Sequence, residues 1–352
     1  VSRGLGDVYK RQVCTVCEEV GMEGATGIDV SMLKGKKLLN MDSEEEGVML
    51  ASCAGGCRAD VKLPVERETV SGTKLTVSLS RLTGGHSGSE IDKGRGNANT
   101  LMSRLLRDAS APVAIASIDG GRKDNAIPRE CTAQIIVAPD EAAAVKASIE
   151  QAAAEIAQEF KASDPDLKLT VSEETDCSES AISAKDSARV IALIEALPNG
   201  IIRMSREIDK LVETSLNLGV LKSDDAAVTL RYAVRSSVGV AKKSLKNQLV
   251  CIAGAFAAEV TFEGDYPAWE YKKDSKLRED MVRIFEEMYG KKPTVEAIHA
   301  GVECGLLSGK IEGLDCISMG PDMYDIHTTE ERLSISSAKR SYEYILRVIA
   351  CK

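Results

Sequence analysis

The sequence predicts an α/β protein interrupted by an inserted α+β domain. Short apolar stretches at 13–16 and 37–41 run directly into acidic residues, Glu18-Glu19 and Asp42, as strands of an open sheet do where their carboxyl ends meet a functional loop. From about residue 68 to 258 the pattern changes to half-buried alternation separated by amphipathic helices. From 259 the first style returns. The chain therefore divides into a lead-in (1–12), the first part of the α/β domain (13–67), the insertion (68–258) and the second part of the α/β domain (259–352).

The elements follow in order. The lead-in carries Arg3, Lys10 and Arg11 with no usable period and reads as foreign or disordered sequence. Strands are expected at 13–16 and 37–41, then at 73–82, 131–137, 167–173, 212–221 and 228–234, where apolar and polar residues alternate. A helix is expected at 140–160, where Val145, Ile149, Ile156 and Phe160 share a face on an Ala-rich background. Helices at 183–197 and 240–256 repeat the pattern with Val190, Ile194, Leu245, Leu249 and Ile252. Leu277, Met281, Ile284 and Met288 mark a helix at 274–289, stopped by Gly290 and Pro293. Strands at 295–298 and 315–319 and a helix at 335–351 close the chain.

Bulk properties narrow the partners. A net charge of −9 disfavours nucleic acid and anionic membranes, and no apolar run approaches the ~20 residues of a membrane span. The first residues are polar and charged, without the apolar stretch of a signal peptide. Ten singly scattered cysteines suit a reducing cytoplasm and small buried roles. Cys14 and Cys17 with Cys53 and Cys57 could be read as a four-thiolate zinc site, but on a strand residues three apart point to opposite faces.

The chemistry-bearing residues lie in polar or Gly-rich loops. Glu18 and Glu19 can diverge at a strand end, one binding a metal and the other taking a proton from its water; two solvated acids are the plainer reading. Asp42 comes directly off a strand and is a better ligand than Glu44, Glu45 or Glu46, of which the last two read as solvated. His86, in Gly84-Gly85-His86-Ser87-Gly88, can project from its loop to stabilise an oxyanion. Ser87 lacks the strand-to-helix elbow of a serine nucleophile. His327, in Ile326-His327-Thr328-Thr329, suits zinc. Arg235 ends a strand of the insertion and suits either a carboxylate clamp or a surface ion pair.

Taken in order, these stretches resemble the aminoacyl-histidine dipeptidase branch of the aminoacylase–carnosinase superfamily of metallopeptidases. The resemblance runs from about residue 13 to the C-terminus. It includes Asn40-Met41-Asp42-Ser43-Glu44-Glu45-Glu46-Gly47, Asp124-Asn125-Ala126-Ile127-Pro128, His299-Ala300-Gly301-Val302-Glu303-Cys304-Gly305 and Tyr266-Pro267-Ala268-Trp269. It implies a zinc-exopeptidase-like catalytic domain with the insertion as its lid, often a dimerisation domain. It implies a dipeptide substrate (Xaa-His and broader) and two divalent ions, with zinc expected and manganese or cobalt also suited.

The resemblance also implies roles. Glu18 matches the general base serving a metal-bound hydroxide. Glu19 and His327 match ligands of one ion, and Asp42 a ligand of the other. His86 matches a lid histidine on the scissile carbonyl oxygen, in its own site or a partner's. Arg235 and Asn125 match lid residues that hold the substrate, and His299 and Glu303 lie in the loop lining the pocket. The family's N-terminal region, which supplies a further His and a bridging Asp, has no counterpart before residue 13. The reading is therefore a truncated sequence with an incomplete catalytic domain, one poorly covered side of its sheet, and weak activity. Alternatives are a non-catalytic dimerising protein that keeps the fold, and a related deacylase or carboxypeptidase.

Overall fold

The computed structural model describes residues 11–18, 21–326 and 328–351. Most of the expected lead-in, together with Glu19 and His327, lies outside the described residues. In chain order the elements are α1 (Glu23–Gly27), β1 (Lys37–Asn40), β2 (Val48–Cys53), β3 (Gly55–Pro64), β4 (Arg67–Ser80), β5 (Gly85–His86), α2 (Ala98–Arg107), β6 (Ala114–Gly120), β7 (Ala126–Ile127), β8 (Cys131–Val137) and α3 (Ala142–Glu159). There follow β9 (Lys168–Ile182), α4 (Ala184–Ala196), β10 (Gly200–Met204), β11 (Val212–Ser223), β12 (Ala227–Ser236), α5 (Gly239–Ala255), β13 (Glu259–Tyr266), α6 (Lys276–Tyr289), β14 (Thr294–Ile298), α7 (Glu303–Lys310), β15 (Asp315–Ser318), β16 (Met323–Tyr324), β17 (Arg332–Leu333) and α8 (Ile335–Ala350).

The smaller sheet has the order β1-β15-β2-β14. Alternation along its strands feeds two cores. Met49, Ala51 and Ile317 meet Leu277, Met281, Ile284 and Phe285 of α6 and Tyr344 and Val348 of α8 on one face. Leu50 and Cys316 meet Cys304 of α7 and Trp269 on the other, joined by Cys53 past a register shift in the β2–β14 pairing. β1 is an edge strand, and its Leu38 and Leu39 are only half-buried.

The larger sheet has the order β13-β3-β12-β11-β6-β8-β4-β9, with β10 attached to β11. Helices α2, α3, α4 and α5 lie on one face, where Leu101, Leu105, Val145, Ile149, Val190, Ile194, Leu245 and Leu249 pack on Leu75, Val77, Leu216, Leu218 and Tyr232. This sheet extends one strand beyond the expected 68–258 at each end, because Ala59, Val61 and Leu63 of β3 and Val260 and Phe262 of β13 turn towards the same core.

Three further expectations change. Residues 13–16 form no strand; Val16 is 69% exposed, and the segment is held by Thr15 on Glu303 and by the Val16 carbonyl accepting from Gly24. Cys14 and Cys17 are exposed rather than buried, and all ten thiols are free. Glu46 is no solvated acid: its carboxylate takes two hydrogen bonds from Arg340, at 2.7 and 2.5 Å, which hold it below the ordinary carboxylate range.

Candidate active site

Strand alternation makes the bare face of the larger sheet polar. Leu216 and Leu218 of β11 face the helices, so Ser215 and Asn217 face away, and Arg235 of β12 lies directly opposite Ser215 in the antiparallel register. Loops from distant parts of the chain settle on this face. The Asn217 amide donates to the carbonyls of Asp124 and Ala126, both at 2.9 Å, which fixes the loop carrying Asn125. That loop in turn fixes the one carrying His86: β5 pairs with β7, and the Ser87 amide donates to the Asn125 carbonyl at 2.9 Å.

An acid holds the backbone of His86, and the ring is held at Nδ1 by backbone amides and the Ser89 hydroxyl. Gly85 adopts φ +141°, a region that disfavours any other residue, and lets the imidazole turn outward. The His86 amide donates to Glu90 at 2.8 Å, and Glu90 is paired with Arg95 at 2.9 Å. Nδ1 accepts from the backbone amides of Gly88, at 3.3 Å, and Ser89, at 3.1 Å. Burial, then the charge of Arg235, holds the ring's pKa below the ordinary histidine value, with Glu90 pulling the other way. A neutral ring that accepts at Nδ1 carries its proton on Nε2, so Nε2–H is the donor the site presents.

His299 closes against this loop. Its carbonyl lies 2.6 Å from where a Cβ on Gly88 would sit, so only glycine allows the approach. It is 5% exposed, and its Nε2 is 2.7 Å from Ser215 Oγ. Its pKa is pushed down to about 3 by burial first, then by Arg235, and His86 adds to the effect while Val212's backbone opposes it. Nδ1 of His299, Nε of Arg235 and Oγ of Ser87 are buried without hydrogen-bond partners. No ion pair of Arg235 appears among the described residues. Its Nη1 donates to Tyr266 Oη at 3.4 Å. Orphaned polar atoms on Arg235 and on neighbouring His299 suit a polar ligand, since leaving them unpaired costs about 1–3 kcal/mol each.

The remaining expected residues approach from the smaller sheet. Glu18 lies in the turn before α1, where its carbonyl accepts from Met22 at 2.9 Å. Met22 packs with Tyr266 and Leu306. Glu303, at the first turn of α7, accepts from Thr15 at 2.6 Å. Asp42 follows β1 and is exposed; it adds to the bond with Cys316 and the burial that hold the Cys304 thiol above its ordinary value. The structure thus unites His86, Asn125, Arg235 and His299 and ties Glu18 and Glu303 to their neighbourhood through Met22 and Thr15. Asp42 is near enough for its charge to act on Cys304, the residue after Glu303.

Among the described residues no three His, Cys, Asp or Glu side chains form a group suited to a metal ion, and of the three expected ligands Asp42 alone is described. The donor set of two carboxylates and an imidazole fits a divalent ion chemically. Sequence reasoning gave no role to Tyr266, Ser215 or Glu90, although Tyr266 and Ser215 both stand in stretches that carry the resemblance, Tyr266-Pro267-Ala268-Trp269 and Val212-Glu213-Thr214-Ser215-Leu216-Asn217. The register of Ser215 with Arg235 is what singles it out.

Comparison with known proteins places the fold. A model of a peptidase dimerisation domain matches residues 77–164. The cytosol non-specific dipeptidase of Escherichia coli (strain K12) is 34% identical over 327 residues, 92% of this chain and 67% of its own. The crystal structure of aminoacylhistidine dipeptidase from Vibrio alginolyticus superposes with a TM-score of 0.88 and 32% identity, covering 96% of this chain and 69% of that one. The fold is thus that of a metallopeptidase with an inserted dimerisation-type domain. The chain belongs to the M20 peptidase family, in the branch that contains these dipeptidases.

Proposed function

We propose that the protein is a metal-dependent dipeptidase. The observation that carries this reading is the cluster on the bare sheet face, where neutral His86 presents Nε2–H beside Arg235, whose buried Nε has no hydrogen-bond partner among the described residues. Arg235 and Asn125 hold the substrate, Arg235 through the substrate's free carboxylate, and His299 and Glu303 line the pocket. Two divalent ions, zinc first and manganese or cobalt next, would be held by Glu19 and His327 for one and by Asp42 for the other; when bound they would acidify a water and polarise the scissile carbonyl. Glu18 takes the proton from the attacking water and delivers it to the leaving amine. His86 donates to the developing oxyanion, in its own subunit or in a partner's.

Three protein ligands are fewer than two catalytic ions ordinarily take. We therefore expect weak ion binding and slow turnover from the chain as given. The substrates are dipeptides, Xaa-His among them, the inserted domain mediates a homodimer, and the site of action is the cytoplasm. Among the described residues no helix is long and apolar enough to cross a membrane.

The test is Glu18→Ala. The substitution should abolish turnover of dipeptides while bound metal, measured by atomic emission, stays near that of the parent. Unchanged turnover would remove Glu18 as the base.

A further inference from the structure

Tyr266 occupies the junction between the two sheets. It ends β13, and three residues later Trp269 exchanges backbone hydrogen bonds of 3.1 Å with Cys53, where the chain first leaves the smaller sheet. Its backbone is anchored by Lys242, itself 7% exposed, which donates to the Tyr266 carbonyl and to Asp265, the latter at 2.6 Å. Its ring fills a slot cleared by two glycines. A Cβ on Gly56 would lie 2.6 Å from Oη, and one on Gly301 would lie 2.9 Å from Cε2. Met22, in the turn that follows Glu18, packs on the same ring.

Oη at the far end of this anchored ring accepts from Arg235 Nη1 at 3.4 Å. Among the described residues that is the guanidinium's hydrogen bond, and Nε has none. A long side chain held only loosely must lose rotamer freedom when it grips a ligand, and a preset hydroxyl lowers that cost. Burial raises the phenol's pKa, so the hydroxyl keeps its proton at neutral pH.

We infer that Tyr266 is a positioning residue. It fixes the Arg235 guanidinium on the sheet face for a carboxylate ligand, and it ties that clamp to the turn carrying Glu18. The inference rests on the reading of Arg235 as the carboxylate clamp.

The experiment is an NMR titration of the chain with leucyl-glycine and with leucyl-glycinamide, in the presence of a chelator so that no hydrolysis intervenes. Wild type should bind the carboxylate form more tightly than the amide. Tyr266→Phe, which keeps the ring and its packing, should lower that preference roughly two- to tenfold with amide binding unchanged. In an Arg235→Lys background the same substitution should change nothing further. A Phe variant that keeps the wild-type preference, or weakens both ligands alike, overturns the inference. So does a Phe effect that persists in full beside Arg235→Lys. A wild type that binds both ligands equally removes the clamp reading itself.

Discussion

His299 shows how much a single residue's environment can demand. Its folded-state pKa of about 3 lies below the ordinary 6.5, so the unfolded chain takes up the proton first as pH falls. The stabilising contribution is complete above about pH 6.5 and declines towards pH 3, by roughly 1.4 kcal/mol per pH unit. Urea melts at pH 6.5 and 4.5 should therefore show a smaller loss in His299→Gln than in the parent. His86 is the functional counterpart. His86→Ala removes an oxyanion donor and is expected to lower kcat roughly a hundredfold while KM changes little, as read by steady-state kinetics. At this scale the sequence identified residue types well: glycines beside His86 and a strand-end Arg235 were visible as letters. The partners that define their chemistry were not. Nothing in the sequence places Ser215 against His299, because that pairing needs strand register and a loop returning from residue 299.

Among the elements, the amphipathic helices were the most legible, because their apolar periods are long. The expected 140–160, 183–197, 240–256 and 274–289 correspond to α3, α4, α5 and α6 within a few residues. The strand at 13–16 failed because four apolar-leaning residues have no partner strand among those described. Helix α2 was overlooked although Asn97 is a legible N-cap, accepting from the amides of Asn99 and Thr100. Its buried Asn99 and Ser103 dilute the apolar face. Helix α6 owes its placement to β15. Asp315 accepts from Ser275 Oγ at 2.6 Å and from the Leu277 amide at 3.1 Å, a buried carboxylate at a helix N-terminus. Asp315→Ala should cost about 1–3 kcal/mol of stability in denaturant melts, because the donors lose their acceptor.

For the whole molecule, two sheets divide the work. The larger presents a polar face bearing His86, Arg235 and His299, while the smaller carries Asp42 and, through α1 and α7, the neighbourhood of Glu18 and Glu303. The ordered motifs revealed the family and the inserted domain, but not where the chain crosses between sheets, because β3 and β13 alternate like the strands on either side. A homodimer built on the inserted domain predicts twice the 37.7 kDa chain mass in sedimentation equilibrium. The central claim is that Glu19, Asp42 and His327 gather divalent ions with Glu18 beside them. Anomalous diffraction from crystals grown with excess zinc tests it most directly. Zinc should lie ~2.0–2.2 Å from Asp42 and from Glu19 with His327, with Glu18 next to the ions without ligating them. Zinc bound elsewhere, with those side chains on separate surfaces, would contradict it.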